Sequence, residues 1–112
     1  MSFSYQSSED NNFTRLNLIG RILSSGDLTA LNDHLEKIQN WKIILDLSEL
    51  SHSNSTGLGL LVKILTRSRV KGGDTVILSP NDGLKKLFEI TKMHEIFTIF
   101  NNEAEAIAYY KQ

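Results

Sequence analysis

Residues 51–65 read SHSNSTGLGLLVKIL. Ser51, Ser53, Asn54, Ser55 and Thr56 crowd hydroxyl and amide groups ahead of a strongly apolar run, with Gly57 and Gly59 at its mouth. Small polar residues in that position mark a helix start, because their oxygens accept from the unpaired N–H groups of the first turn. The same N–H groups and the helix dipole favour an added negative charge. A hydroxyl here therefore has two readings, a cap and a phosphate acceptor. The glycines raise a further matter. Each weakens a helix by about 1 kcal/mol relative to alanine, yet leaves the first turn open to a neighbouring strand, a partner's backbone or an anion.

Other chemistries fit less well. Gly57-x-Gly59 echoes a dinucleotide fingerprint, but its third glycine is replaced by Val62. A nucleoside-triphosphate loop needs Gly-Lys-Ser/Thr, and Lys63 is followed by Ile64. His52 lies near Ser55, as a base would near a nucleophile, but no G-x-S-x-G elbow surrounds the serine. Asp46 and Glu49 are the nearest carboxylates; Asp46 alternates with core residues, and Glu49 reads as solvated. His34 and His94 read as solvated helix residues. Cysteine is absent, which excludes disulfides and thiolate metal sites. Lys63, Arg67, Arg69 and Lys71 suit the C-terminal half of a helix. The formal net charge of −1 speaks against nucleic acid and anionic membranes as partners. The expectation is a binding module with no catalytic residues, metal or cofactor.

The elements that position this segment follow from periodicity. Phe3 and Tyr5 alternate with polar residues, as do Leu16, Leu18, Gly20 and Ile22, giving two antiparallel strands. Ser24–Asp27 offers a turn and cap, and Leu28, Leu31, Leu35 and Ile38 predict a helix over residues about 27–39. Residues 41–47, WKIILDL, are nearly continuous in apolar character, as in a strand covered on both faces. A loop from Ser51 to Thr56 leads to a helix ending near Val70 at Gly72-Gly73. Then come a strand at 75–78, a helix with Leu84, Leu87 and Phe88, a short strand at 96–100, and a last helix with Ala104, Ile107 and Ala108 inward. The order ββαβαβαβα implies an α/β fold: a small mixed sheet of about five strands with about four helices packed against it. All 112 residues read as one domain. The N-terminus has neither a basic start nor an apolar core, and no run approaches the roughly 20 apolar residues of a membrane span. The expected location is the cytoplasm.

Around the axis of the long helix, Leu58, Leu61, Val62 and Leu65 share one face. Leu60 and Ile64 fall on its flank beside Arg67. An apolar arc this wide is either covered by neighbouring elements or left as a docking surface.

IILDLSEL (residues 43–50), NSTGLG (54–59), Lys71-Gly72-Gly73, Val76-Ile77-Leu78 and LKKLFEIT (84–91), in this order, resemble the STAS domain. More narrowly, they resemble bacterial anti-sigma-factor antagonists, or anti-anti-sigma factors. The resemblance spans nearly the whole chain. It implies a protein that binds an anti-sigma factor which is also a serine/threonine kinase. It further implies transcription controlled by partner switching, phosphorylation of a serine that breaks the complex, and a phosphatase that restores it. That serine corresponds to Ser55, with Thr56 the second choice. Asn54, Ser55, Thr56, Gly57, Leu58, Leu60 and Ile64 become the expected partner contacts. Asn54 stands where the family motif has aspartate, and Gly20-Arg21-Ile22-Leu23 stands where the family often has Gly-Glu-x-Asp. The resemblance also admits a second role, a STAS subunit of a lipid-transport or signalling assembly that phosphorylation does not control.

Overall fold

In a computed structural model, which describes residues 2–111, the described chain forms one five-stranded sheet. Its strands are β1 (Ser4–Glu9), β2 (Thr14–Ile22), β3 (Lys42–Ser53), β4 (Asp74–Leu78) and β5 (Thr98–Phe100). Spatial order follows chain order. β1 and β2 are antiparallel, and the remaining neighbours are parallel. The short β1–β2 connection is set by the Asp10 carboxylate, which accepts from the N–H groups of Asn12 (2.7 Å) and Phe13 (3.1 Å). Parallel neighbours need crossovers. These contain α1 (Thr29–Leu35), α2 (Ser55–Val70) and α3 (Asp82–Ile90), and α4 (Glu103–Tyr109) follows the last strand. The α/β mixed sheet with four helices is the architecture that the pattern of elements implies.

Alternation in β2 buries Thr14, Leu16, Leu18, Gly20 and Ile22. β3 is covered on both faces from Ile43 to Leu47. On one face, Ile43, Leu45 and Leu47 join Leu31 and Leu35 of α1, Leu58, Leu61 and Leu65 of α2, and Leu84 and Phe88 of α3. On the other, Ile44, Val76 and Leu78 lie under Ala106 of α4. α4 is tied down at both ends. Arg15 bonds both Glu103 and Asp46 (2.6 Å each), and the Tyr109 and Tyr110 hydroxyls donate to the Asp74 carboxylate (2.6 Å) and the Ile43 carbonyl (2.8 Å).

Four boundaries differ from expectation. Residues 51–53 are strand, not loop, because β2 continues beside them and pairs Arg21 with His52 and Ile22 with Ser53 after two register shifts. The first helix is a 3-10 turn (Ser25–Leu28) followed by α1, which stops at Leu35, although Ile38 is still buried beyond it. β5 begins only at Thr98, since Met93–Glu95 form a 3-10 turn. In α4, Ala106 is buried while Ala104 and Ala108 are exposed. The two tyrosines that anchor its end set its rotation.

Candidate functional site

At the end of β3 the chain turns into α2 through Asn54, whose backbone is extended. Its Oδ1 accepts from the Gly57 N–H (3.0 Å), capping the helix, and its Nδ2 donates to the Leu23 carbonyl (2.8 Å). An amide can do both, whereas an ionised carboxylate, which only accepts, cannot. On its other side Leu23 is held by Asp27, whose carboxylate accepts from the N–H groups of Leu23 (2.9 Å) and Ser24 (3.1 Å). The Leu23 backbone is thus fixed from two directions, while its side chain is 54% exposed.

Ser55 and Thr56 are the first two residues of α2, and both are exposed. The first turn carries no acidic side chain, so nothing there offsets the positive end of the helix dipole. The two glycines differ. A Cβ on Gly57 would lie 2.1 Å from Ser53 Oγ and 3.1 Å from the Ile22 side chain, so that glycine lets strand ends meet the helix. Gly59 has nothing within 4 Å of where its Cβ would be and is exposed. Beside it a shallow cleft of about 190 Å3 opens between Ser25 and Leu28 on one wall and Thr56, Gly59, Leu60 and Lys63 on the other.

The flank of α2 is covered, which corrects part of the expected contact surface. α1 lies along it, joined by Lys63 to Asn32 (2.9 Å) and Arg67 to Glu36 (2.7 Å). Leu58, Leu60 and Ile64 are 4%, 5% and 0% exposed, and Gly57 is buried. All three leucine and isoleucine side chains are core residues, and Leu60 also lines the cleft. Asn54, Ser55 and Thr56 remain on the surface with Gly59 and Leu23. Sequence reasoning missed Leu23. A signal was there: it falls out of phase with Leu16, Leu18 and Ile22, so it points away from their buried face.

Asp46 lies far from a catalytic role. It is 5% exposed on the α4 side of the sheet, bonded to Arg15 and to the Ser48 N–H (2.9 Å). Burial pushes its carboxyl up, but the bonds from Arg15 and Ser48 outweigh this and hold it below the ordinary carboxylate value. A larger polar cleft, about 420 Å3, lies at the opposite end of α2, by Lys71 and Gly73. Its Glu9 carboxylate is taken up by the N–H groups of Gln39 (3.2 Å) and Asn40 (3.0 Å). Among the described residues no helix is long and apolar enough to cross a membrane.

This sheet, with a capped helix opening after its central strand, is that of a known family. The chain belongs to the STAS domain family, whose model matches residues 6–106. Among curated relatives, the anti-sigma-B factor antagonist of Listeria monocytogenes is 39% identical over 61 residues, 54% of this chain and 54% of that protein. The chain thus matches about half the length of that relative. Among solved structures, TM1081 of Thermotoga maritima superposes with a TM-score of 0.86 at 20% identity, over 96% of this chain and 95% of that one. The anti-sigma factor antagonist SpoIIAA in its unphosphorylated form gives 0.82 at 19% identity, over 96% of each chain. Bacillus SpoIIAA in the phosphorylated form gives 0.69 at 19% identity, over 95% of this chain and 98% of that one. These structures share the fold.

Proposed function

We propose that this protein is an anti-sigma-factor antagonist, a cytoplasmic binding protein rather than an enzyme. Its partner is an anti-sigma factor that is also a serine/threonine kinase, and binding frees a sigma factor for transcription. Phosphorylation of Ser55 ends the complex, and a phosphatase restores it. The observation that carries this reading is the exposed Ser55 hydroxyl on the first residue of α2, between the Asn54 cap and the cleft at Gly59. The relatives' names point the same way, as does a family member known in phosphorylated and unphosphorylated forms.

The energetics suit a switch. A phosphate adds about −1.5 to −2 charges. The helix N-terminus favours it by about 0.3–1 kcal/mol, so the fold tolerates the modification. Covering that phosphate at an interface forfeits its hydration, at a cost of several kcal/mol. About 1.4 kcal/mol is already tenfold in affinity. Binding therefore responds far more than stability does. The test is a pull-down with the wild-type protein, Ser55→Ala and Ser55→Asp, with mass spectrometry of the wild type for phosphate on Ser55 or Thr56. Ser55→Ala should retain an anti-sigma factor constitutively, and Ser55→Asp should release it while melting within a few degrees of the wild type. Equal retention by both variants, with no phosphate at either residue, would overturn the proposal.

A further inference from the structure

β1 is the outermost strand, paired with β2 without a register shift and with no strand beyond it among the described residues. An edge strand offers a row of unpaired N–H and C=O groups, which proteins commonly blunt with shortness, proline, lysine or a bulge. The opposite edge is blunted in this way, since β5 has three residues. β1 has six, SYQSSE, with no proline, lysine or bulge. Its one charged side chain is engaged within its own chain, where Glu9 accepts from the N–H groups of Gln39 and Asn40.

The surroundings of this edge are self-complementary. Phe3 and Tyr5 are half-buried at the margin of the core. One flank of α1 faces α2 through Asn32 and Glu36. The opposite flank faces β1. His34 Nε2 lies 3.0 Å from Ser7 Oγ, and the His34 ring is 5.5 Å from that of Tyr5. Asp33 and Lys37, four residues apart on α1 and its extension, lie outward of this flank by helical position. Both are exposed, and neither joins an ion pair among the described residues.

We propose that β1 pairs antiparallel with β1 of a second copy, joining two five-stranded sheets into one across a two-fold axis normal to the sheet. A two-fold contact must match itself. Centred on Ser7, the strand sets Ser7 opposite Ser7, Gln6 opposite Ser8 and Tyr5 opposite Glu9, so that opposed residues share a face, neutral residues meet along the middle and like charges stay apart. The same axis runs α1 antiparallel to its copy on one sheet face, turning Asp33 of each toward Lys37 of the other. Phe3 and Tyr5 gain cover. One strand and one helix flank per copy make a contact near the low end of specific interfaces, roughly 1,200 Å2, so the dimer should depend on concentration. Each dimer would carry two α2 mouths.

Sedimentation of the full chain from micromolar to millimolar concentration tests this. The mass should rise from one chain to two. Gln6→Lys with Ser8→Lys, which sets like charges across the edge, should weaken the dimer about tenfold or more. Asp33→Lys and Lys37→Asp should each weaken it, and the two together should restore it, with melting temperatures unchanged throughout. A single-chain mass at every concentration overturns the proposal. So does a dimer indifferent to the edge lysines, or a charge swap that fails to restore association.

Discussion

Asn54 serves two partners with one amide, and both bonds shape the surface around Ser55. Its acceptor oxygen caps α2, and its donor nitrogen holds the Leu23 carbonyl beside the helix mouth. Truncation loses both bonds, so Asn54→Ala should cost about 1–2 kcal/mol in denaturant unfolding. Asn54→Asp keeps the cap and adds a charge that the dipole favours, but it sets an acceptor against the Leu23 carbonyl. It should fall between the wild type and Asn54→Ala. A loss from Asn54→Asp as large as from Asn54→Ala would mean that capping is not what the residue contributes. The cap was legible in the sequence, because small polar residues before an apolar run have few other uses. The bond to Leu23 was not, since it joins residues 31 apart.

At the scale of an element, α2 contains two glycines that composition treats alike and packing does not. Gly57 sits against Ser53 and Ile22, whereas Gly59 faces open space. Gly57→Ala should destabilise the protein by about 1–3 kcal/mol, because the added methyl overlaps buried strand residues and this outweighs its gain in helix propensity. Gly59→Ala should stabilise it by about 0.4–1 kcal/mol. If the partner approaches over Gly59, the same change should weaken binding while raising the melting temperature. Thermal unfolding and partner titration of the two variants check this; a loss of stability from Gly59→Ala would show that the site is not open. The helix wheel left the Leu60 and Ile64 flank undecided between core and docking surface. α1 decided it, because Asn32 and Glu36 seat α1 alongside Lys63 and Arg67.

For the molecule as a whole, two carboxylates drawn partly out of solvent link stability to pH. Asp46 is held low by Arg15 and Ser48 against its burial, and Asp74 by Tyr109, Thr75 and Arg69 against its own. In the unfolded chain an aspartate titrates at about 3.9. On acidification the unfolded chain therefore takes up protons first, and stability falls. These contributions are complete above about pH 5 and are lost as pH drops below about 4, through the lower folded values. Melting temperature should hold between neutrality and pH 5 and then decline steeply. Asp46→Asn should cost about 1–3 kcal/mol at pH 7, and its decline below pH 4 should be shallower than that of the wild type. Parallel curves for the two proteins would remove Asp46 from this account.

Local chemistry alone specified the order of elements, the alternation that buries one side of β2, the doubly covered centre of β3, and the hydroxyl-rich start of α2. Each rests on neighbours within a few residues, through side-chain period, capping or turn preference. Tertiary structure decided what depends on contact between distant segments. β3 runs on to Ser53 because β2 lies beside it, and α4 turns on its axis to seat two tyrosines at the start of β3 and β4. The surface around Ser55 is made of Leu23, Gly59 and a cleft rather than Ile64, because α1 covers that side of the helix. Which apolar residues stay exposed is settled by what packs over them, and a one-dimensional pattern does not carry that.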